Sequence, residues 1–160
     1  MNNNEYNNNI CFFNIFPAHY RKTIFKEMSK ELGVDFYFGD KMVRPPQRLQ
    51  DYMIPGFKKV IHNHIIFWPL YWQSGVVSLL FKPYSAYITM GNIWCISTWL
   101  VLILGRLFSK KKFFLWSHGW YGDESLMKCF IKNIFYSFAH DVFVYGEYSK
   151  GLMVKKGFNS

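Results

Sequence analysis

Four short clusters of small, polar and ionisable residues stand just beyond apolar runs in this chain: His19-Tyr20-Arg21, Gly91-Asn92, His118-Gly119-Trp120-Tyr121, and Gly146-Glu147 with Ser149. An imidazole exchanges protons near neutral pH, and a guanidinium or ammonium such as Arg21 or Lys22 pairs with phosphate. Glycine lets a backbone approach a ligand closely, or simply relieves a turn. If these clusters meet at one edge of a sheet, they suit a polyhydroxylated or phosphorylated ligand. Other chemistries lack their residues. There is no Gly-x-Ser-x-Gly elbow and no Gly-x-x-x-x-Gly-Lys loop. His62-x-His64 would put two imidazoles on one strand face with no third ligand nearby, so no metal site is expected and core or turn histidines explain the pair.

The elements that must carry these clusters follow from periodicity. Ile10 to Phe16 reads as a strand closed by Pro17. Arg21 to Leu32 spaces Ile24, Phe25, Met28 and Leu32 as one face of an amphipathic helix, ended by Gly33. Val34 to Phe38 completes a βαβ unit. From Gly39 to Tyr84 the signals weaken, with a strand expected at Val60 to Phe67 and a short helix near Ser74 to Phe81. Regular alternation then resumes: strand Ala86 to Met90, helix Ile93 to Phe108, strand Phe113 to Ser117, and a helix from about Asp123 to Phe138. That helix would bury Leu126, Phe130, Ile131, Ile134, Phe135 and Phe138 and expose Lys128, Lys132 and Asn133. Strand Asp141 to Tyr145 and helix Glu147 to Lys156, stopped by Gly157, finish the chain. Repeated βα units predict an α/β fold, an open and mostly parallel Rossmann-like sheet with helices on both faces. In such sheets ligands gather beyond the carboxyl ends of the strands, where the four clusters stand.

Composition sets the outer bounds. The chain has 160 residues, 51% of them apolar, enough for one domain with a substantial core. Residues 1–9, mostly asparagine, read as a disordered polar N-terminus and 10–160 as the folded domain. The net charge of +9 favours anionic partners, an anionic membrane surface among them. Basic residues are scattered apart from Lys110-Lys111-Lys112, and no Arg-rich helix suits a DNA groove, so nucleic acid is not expected. Cys11, Cys95 and Cys129 are few, odd in number and set in apolar runs, which reads as reduced core thiols of a cytoplasmic protein. The N-terminus lacks the pattern of a signal peptide. Ile93 to Phe108 is apolar until Arg106 but spans roughly 16 residues where a bilayer needs about 20. A buried helix is the favoured reading, and a small membrane protein anchored by residues 93–108 is a rival.

Two stretches carry a resemblance. Leu115-Trp116-Ser117-His118-Gly119-Trp120-Tyr121-Gly122, followed by a helix and then Asp141-Val142-Phe143-Val144-Tyr145-Gly146-Glu147-Tyr148-Ser149-Lys150, resembles the acceptor-side, N-terminal domain of family 4-like retaining GT-B glycosyltransferases that build bacterial surface polysaccharides. The opening Phe16-Pro17-Ala18-His19-Tyr20-Arg21-Lys22 is similar to the first strand and loop of that group. The resemblance implies a hexose moved from a nucleotide-sugar co-substrate to a polysaccharide, lipopolysaccharide or lipid-linked saccharide acceptor, without metal or other cofactor, by a protein peripheral to the inner membrane face. It places His118 at the catalytic mouth of the cleft, where its ring can hydrogen-bond a sugar hydroxyl or shuttle a proton; a turn tied through the ring nitrogens is the alternative. It places His19, Tyr20, Arg21, Gly91, Asn92, Gly119 and Tyr121 on the acceptor side.

The sequence also departs from the group. Pro17-Ala18-His19 stands where many members have Gly-Gly, which leaves donor contacts from that loop unassigned. There is no Asp-x-Asp, the mark of the metal-dependent GT-A class. The donor-binding domain expected after the last helix does not appear before Ser160, so this chain is expected to be inactive alone. It would then need a separate donor-binding domain or protein, serve as a stand-alone acceptor-binding subunit, or self-associate through the face such a domain would cover.

Overall fold

The structure, a computed structural model, describes residues 9–50, 53–108, 110–122 and 124–158. The expected polar segment falls almost wholly outside these residues; Asn9 already accepts backbone hydrogen bonds from Ser85 and Ala86 at 2.9 and 3.2 Å.

Six parallel strands form the sheet: β1 (Ile10–Asn14), β2 (Val34–Gly39), β3 (Phe57–Ile61), β6 (Ala86–Met90), β7 (Lys112–Ser117) and β8 (Asp141–Val144). Their spatial order is β3-β2-β1-β6-β7-β8, the order of a doubly wound α/β fold, which reverses between β1 and β6. The expected Rossmann-like architecture is therefore present. Helix α1 (Lys22–Leu32) follows a single 3-10 turn at His19–Arg21 and ends where Gly33 takes a left-handed conformation, φ 60°. α2 (Ile96–Phe108), α3 (Leu126–Ser137) and α4 (Glu147–Lys155) complete the set.

The strands alternate their side chains between two cores, as a sheet covered on both faces requires. Phe12, Phe36 and Phe38 meet Phe25 of α1 in an aromatic cluster with ring centroids 5.2–5.5 Å apart. On the opposite face Cys11, Phe13, Tyr87, Phe113 and Leu115 pack against Val101 and Leu102 of α2, Phe135 and Tyr136 of α3 and Met153 of α4. All three cysteines are buried free thiols. α2 approaches β7 so closely that a methyl group on Gly105 would strike the Phe113 ring. Only 13 residues long and packed through Ser97, Thr98, Val101, Leu102 and Gly105, α2 is a core helix. Among the described residues no helix is long and apolar enough to cross a membrane.

Three sequence expectations are corrected. The single strand expected at Val60 to Phe67 is broken at His62, whose Nδ1 lies 3.0 Å from Asp40 Oδ2 while Asp40 Oδ1 accepts from the Asn63 amide at 2.8 Å. Beyond that break the chain leaves the sheet as an antiparallel hairpin, β4 (Asn63–Phe67) and β5 (Leu70–Gln73), around a cis Trp68–Pro69 bond. The helix expected over 74–81 is a 3-10 turn at Val77–Phe81.

α3 is rotated from its expected phase. Leu126, Phe130 and Ile134 are exposed, and Cys129, Lys132, Phe135 and Tyr136 form the buried side. Counting apolar letters misplaces the stripe because Lys132 is buried by its partners: its Nζ donates to the Gly119 carbonyl at 2.7 Å and to Glu124 Oε1 at 2.6 Å. The helix is capped by Ser125, whose Oγ accepts from the Lys128 amide; Asp123, the expected cap, lies outside the described residues.

Within the basic run at 110–112 one lysine is engaged by the fold. Lys111 Nζ is drawn onto the carbonyls of Leu80 and Lys82, both at 2.6 Å, and the Tyr87 hydroxyl at 3.0 Å.

The hairpin is anchored by polar groups. Asn63, 2% exposed, donates through Nδ2 to the carbonyls of Ile15 and Lys41, each at 2.7 Å. Gln73 Nε2 donates to Asn63 Oδ1 at 3.0 Å and to the Asn14 carbonyl at 3.3 Å. Asn63→Ala removes the donor from two partly buried carbonyls and the acceptor from the buried Gln73 amide, and is expected to lower unfolding free energy by on the order of 3 kcal/mol, read as a shift in urea midpoint at constant slope.

Candidate functional site at the sheet's switch point

Where the strand order reverses, the loops after β1, β2, β6 and β7 surround a cavity of about 540 Å³, roofed on one side by the β4–β5 hairpin. Of the candidate residues, Tyr20, Arg21, Gly91, Asn92, His118, Gly119 and Tyr121 line it. His19 does not: it is exposed, and its amide is engaged by the Gln47 carbonyl at 2.9 Å. Lys22 points to Met53 Sδ at 3.6 Å, and the β8 cluster at Gly146, Glu147 and Ser149 also lies outside the cavity wall.

The His118 loop is held from beneath by α3. Gly119 adopts φ 70°, natural for glycine, which turns the chain after β7. Its amide donates to Ser117 Oγ at 3.1 Å, Ser117 Oγ and Tyr136 Oη share a 2.6 Å hydrogen bond, and Lys132 fastens the Gly119 carbonyl. Burial pushes the Tyr136 phenol up to about 12, so it remains a protonated hydrogen-bonding hydroxyl at neutral pH. Gly91 is needed for space: a Cβ there would lie 2.6 Å from Ser117 Cβ. Asn92 Oδ1 accepts from the Trp94 amide at 3.0 Å, so this side chain shapes the turn into α2.

The turn is thus tied by Ser117, Tyr136 and Lys132, while neither ring nitrogen of His118 has a partner among the described residues. The ring is fixed instead by stacking on Tyr145, with centroids 4.5 Å apart and planes 20° from parallel. Tyr145 Oη in turn accepts from Arg21 Nη2 at 2.8 Å. Arg21 is 8% exposed, its guanidinium lies 5.0 Å from the Trp116 ring centroid, and its Nε has no partner. No described carboxylate pairs with it.

Lys132 is the opposite case. Glu124 Oε1 receives both Lys132, at 2.6 Å, and Lys128, at 2.9 Å. Burial opposes the charged form of Glu124, yet those two ammonium groups hold its carboxyl below the usual range. Burial likewise presses the Lys132 amine downward against the pull of Glu124.

The sequence reading missed Lys132, Tyr136 and Tyr145 as parts of the site. The spacing of Glu124, Lys128 and Lys132, four residues apart from just before α3 into its length, was the signal that could have found the first.

Partial burial, then the positive charges of Arg21 and Lys132, hold the His118 imidazole below its ordinary range, so at neutral pH it is uncharged and can accept a proton or hydrogen bond. The expected NMR titration midpoint of His118 lies below the free-imidazole value of about 6.5 and moves upward in Arg21→Gln, which removes one of the two cations. A midpoint unmoved by that substitution would show that burial alone sets it. Comparison of the chain with protein-family models, curated proteins and solved structures finds no match in any of the three.

Proposed function

We propose that this chain is the acceptor-holding half of a metal-independent glycosyltransferase, working with a donor-binding domain or protein that supplies the nucleotide-sugar. The observation that carries the reading is the state of His118: an uncharged imidazole, fixed by Tyr145, with both nitrogens unpartnered on the wall of a cavity at the sheet's switch point. In hexosyl transfer the anomeric carbon's bond to the diphosphate breaks, a bond to the acceptor oxygen forms, and the acceptor hydroxyl must lose its proton. His118 accepts the hydrogen bond from that hydroxyl and orients its oxygen. Tyr20 and Tyr121 offer aromatic faces and hydroxyls at the cavity's open edge, both 64% exposed, suited to the apolar face and polar rim of a sugar ring. Arg21 supplies positive charge for a phosphate on a lipid-linked acceptor.

The arrangement assigns no donor contact to this chain, so the expected behaviour is acceptor binding without transfer. Titration of saccharides of bacterial surface polymers, followed by ligand-observed NMR, should show binding that His118→Ala weakens about tenfold and that fades as pH falls through the depressed His118 titration, because the protonated ring no longer accepts. Nucleotide-sugars should give no comparable signal. Tight nucleotide-sugar binding by this chain, or saccharide binding indifferent to both pH and His118→Ala, would sink the proposal.

A further inference from the structure

The tip of the β4–β5 hairpin shows four consecutive large apolar side chains to solvent: Ile65, Ile66, Phe67 and Trp68 are 49, 53, 62 and 71% exposed. Met42 and Val43, on the loop after β2, are exposed as well and line the same cavity as Ile65 and Trp68, so loop and hairpin share one rim. The two segments are joined: Asn63, the first residue of the hairpin, donates to the Lys41 carbonyl. Every charged or titratable residue in stretches 41–46 and 63–73 apart from the tyrosine is basic: Lys41, Arg44 and His64, with no carboxylate in either. An apolar ridge containing tryptophan with Lys41 and Arg44 beside it is the chemistry of an interfacial membrane contact. It does not fit a second copy of the same surface, which would bring like charges together, nor a nucleic acid, which has no use for four adjacent exposed apolar side chains.

We propose that this rim docks the protein on an anionic lipid leaflet, with Ile66, Phe67 and Trp68 entering the boundary between headgroups and acyl chains while Lys41 and Arg44 meet lipid phosphates. Ile65 and Trp68 of the ridge line the cavity, so docking brings that wall of the cavity to the bilayer surface. On the function proposed above, a lipid-linked acceptor would then reach His118 with its tail still in the membrane; the docking itself does not depend on that function.

The test is co-sedimentation of the purified chain with vesicles of equal parts phosphatidylglycerol and phosphatidylcholine, and with phosphatidylcholine alone, at low and physiological salt. Binding is expected to the anionic vesicles and to weaken with salt. Ile66→Ser with Phe67→Ser, both outside the cavity wall, is expected to lower partitioning about tenfold. Arg44→Glu is expected to lower it about fivefold or more and to reduce the salt dependence. Circular dichroism on each variant verifies the fold, and saccharide titration of the Ile66/Phe67 variant separates loss of docking from loss of ligand binding. Absence of wild-type binding to anionic vesicles, or equal binding by the folded Ile66/Phe67 variant, overturns the proposal. So does light scattering that finds a wild-type dimer dissolved by the same substitutions together with no vesicle binding, since the occupant of the ridge is then a second copy.

Discussion

Carbonyl groups at the carboxyl end of a buried parallel sheet need partners, and how this chain supplies them decides the shape of everything above the sheet. β1 and β2 run off the sheet at Asn14–Ile15 and Gly39–Lys41, where side chains from later in the chain take up their carbonyls, Arg48 those of Gly39 and Asp40. Asn63 and Gln73, one at each end of the hairpin, reach down to Ile15, Lys41 and Asn14 and to one another. Gln73 extends the connection to α2 through its amide, which donates to Ser97 Oγ at 3.0 Å. Gly39 belongs to the same constraint: a side chain there would collide with the Ile15 carbonyl and the Asn63 amide. With this arrangement satisfied, the hairpin stands beside the switch point and the crevice between β1 and β6 becomes a walled cavity.

Two of the cations that line the cavity sit in contrasting settings. Lys132 is ion-paired with Glu124 and serves as a structural tie between α3 and the His118 loop. Arg21 rests among Tyr20, Trp116 and Tyr145, rings that accommodate a guanidinium without cancelling its charge. The same aromatic neighbour that accepts from Arg21 also supports the His118 ring, so charge and base are held in one unit spanning the loops after β1, β7 and β8. Mechanically, the site is built from strand ends and one helix face, with the rigid sheet setting the separation between its groups.

Much of this was readable beforehand, and the divisions have physical reasons. The βα rhythm was legible because strands buried on both faces are continuous apolar runs, and because Gly33 and Gly157 mark helix ends. Strand ends therefore pointed to residues that meet, seven of the eight candidates lining one cavity. The hairpin was hidden because Val60 to Phe67 is unbroken in letters, and the break at His62 exists only through Asp40, more than 20 residues earlier in the chain. α3 was misphased because burial of Lys132 depends on Gly119, which no local period encodes. His19 stood beside Arg21 in sequence, but the 3-10 turn sends neighbouring side chains to different sides.

The hairpin is attached to the domain through the side chains of Asn63 and Gln73 and through Tyr71, whose amide donates to the Trp94 carbonyl at 3.1 Å, whereas Ile65 to Trp68 stand exposed at its tip. Its tip therefore lies under little obligation to the hydrophobic core, and residues 65–68 make no pairing with the six-stranded sheet. An insertion of this kind lets one scaffold be refitted over evolutionary time: changes at Ile65 or Trp68 redraw the cavity's outer wall, while retention of Asn63 and Gln73 preserves the mounting. Diversification of ligand preference is thereby uncoupled from the survival of the fold.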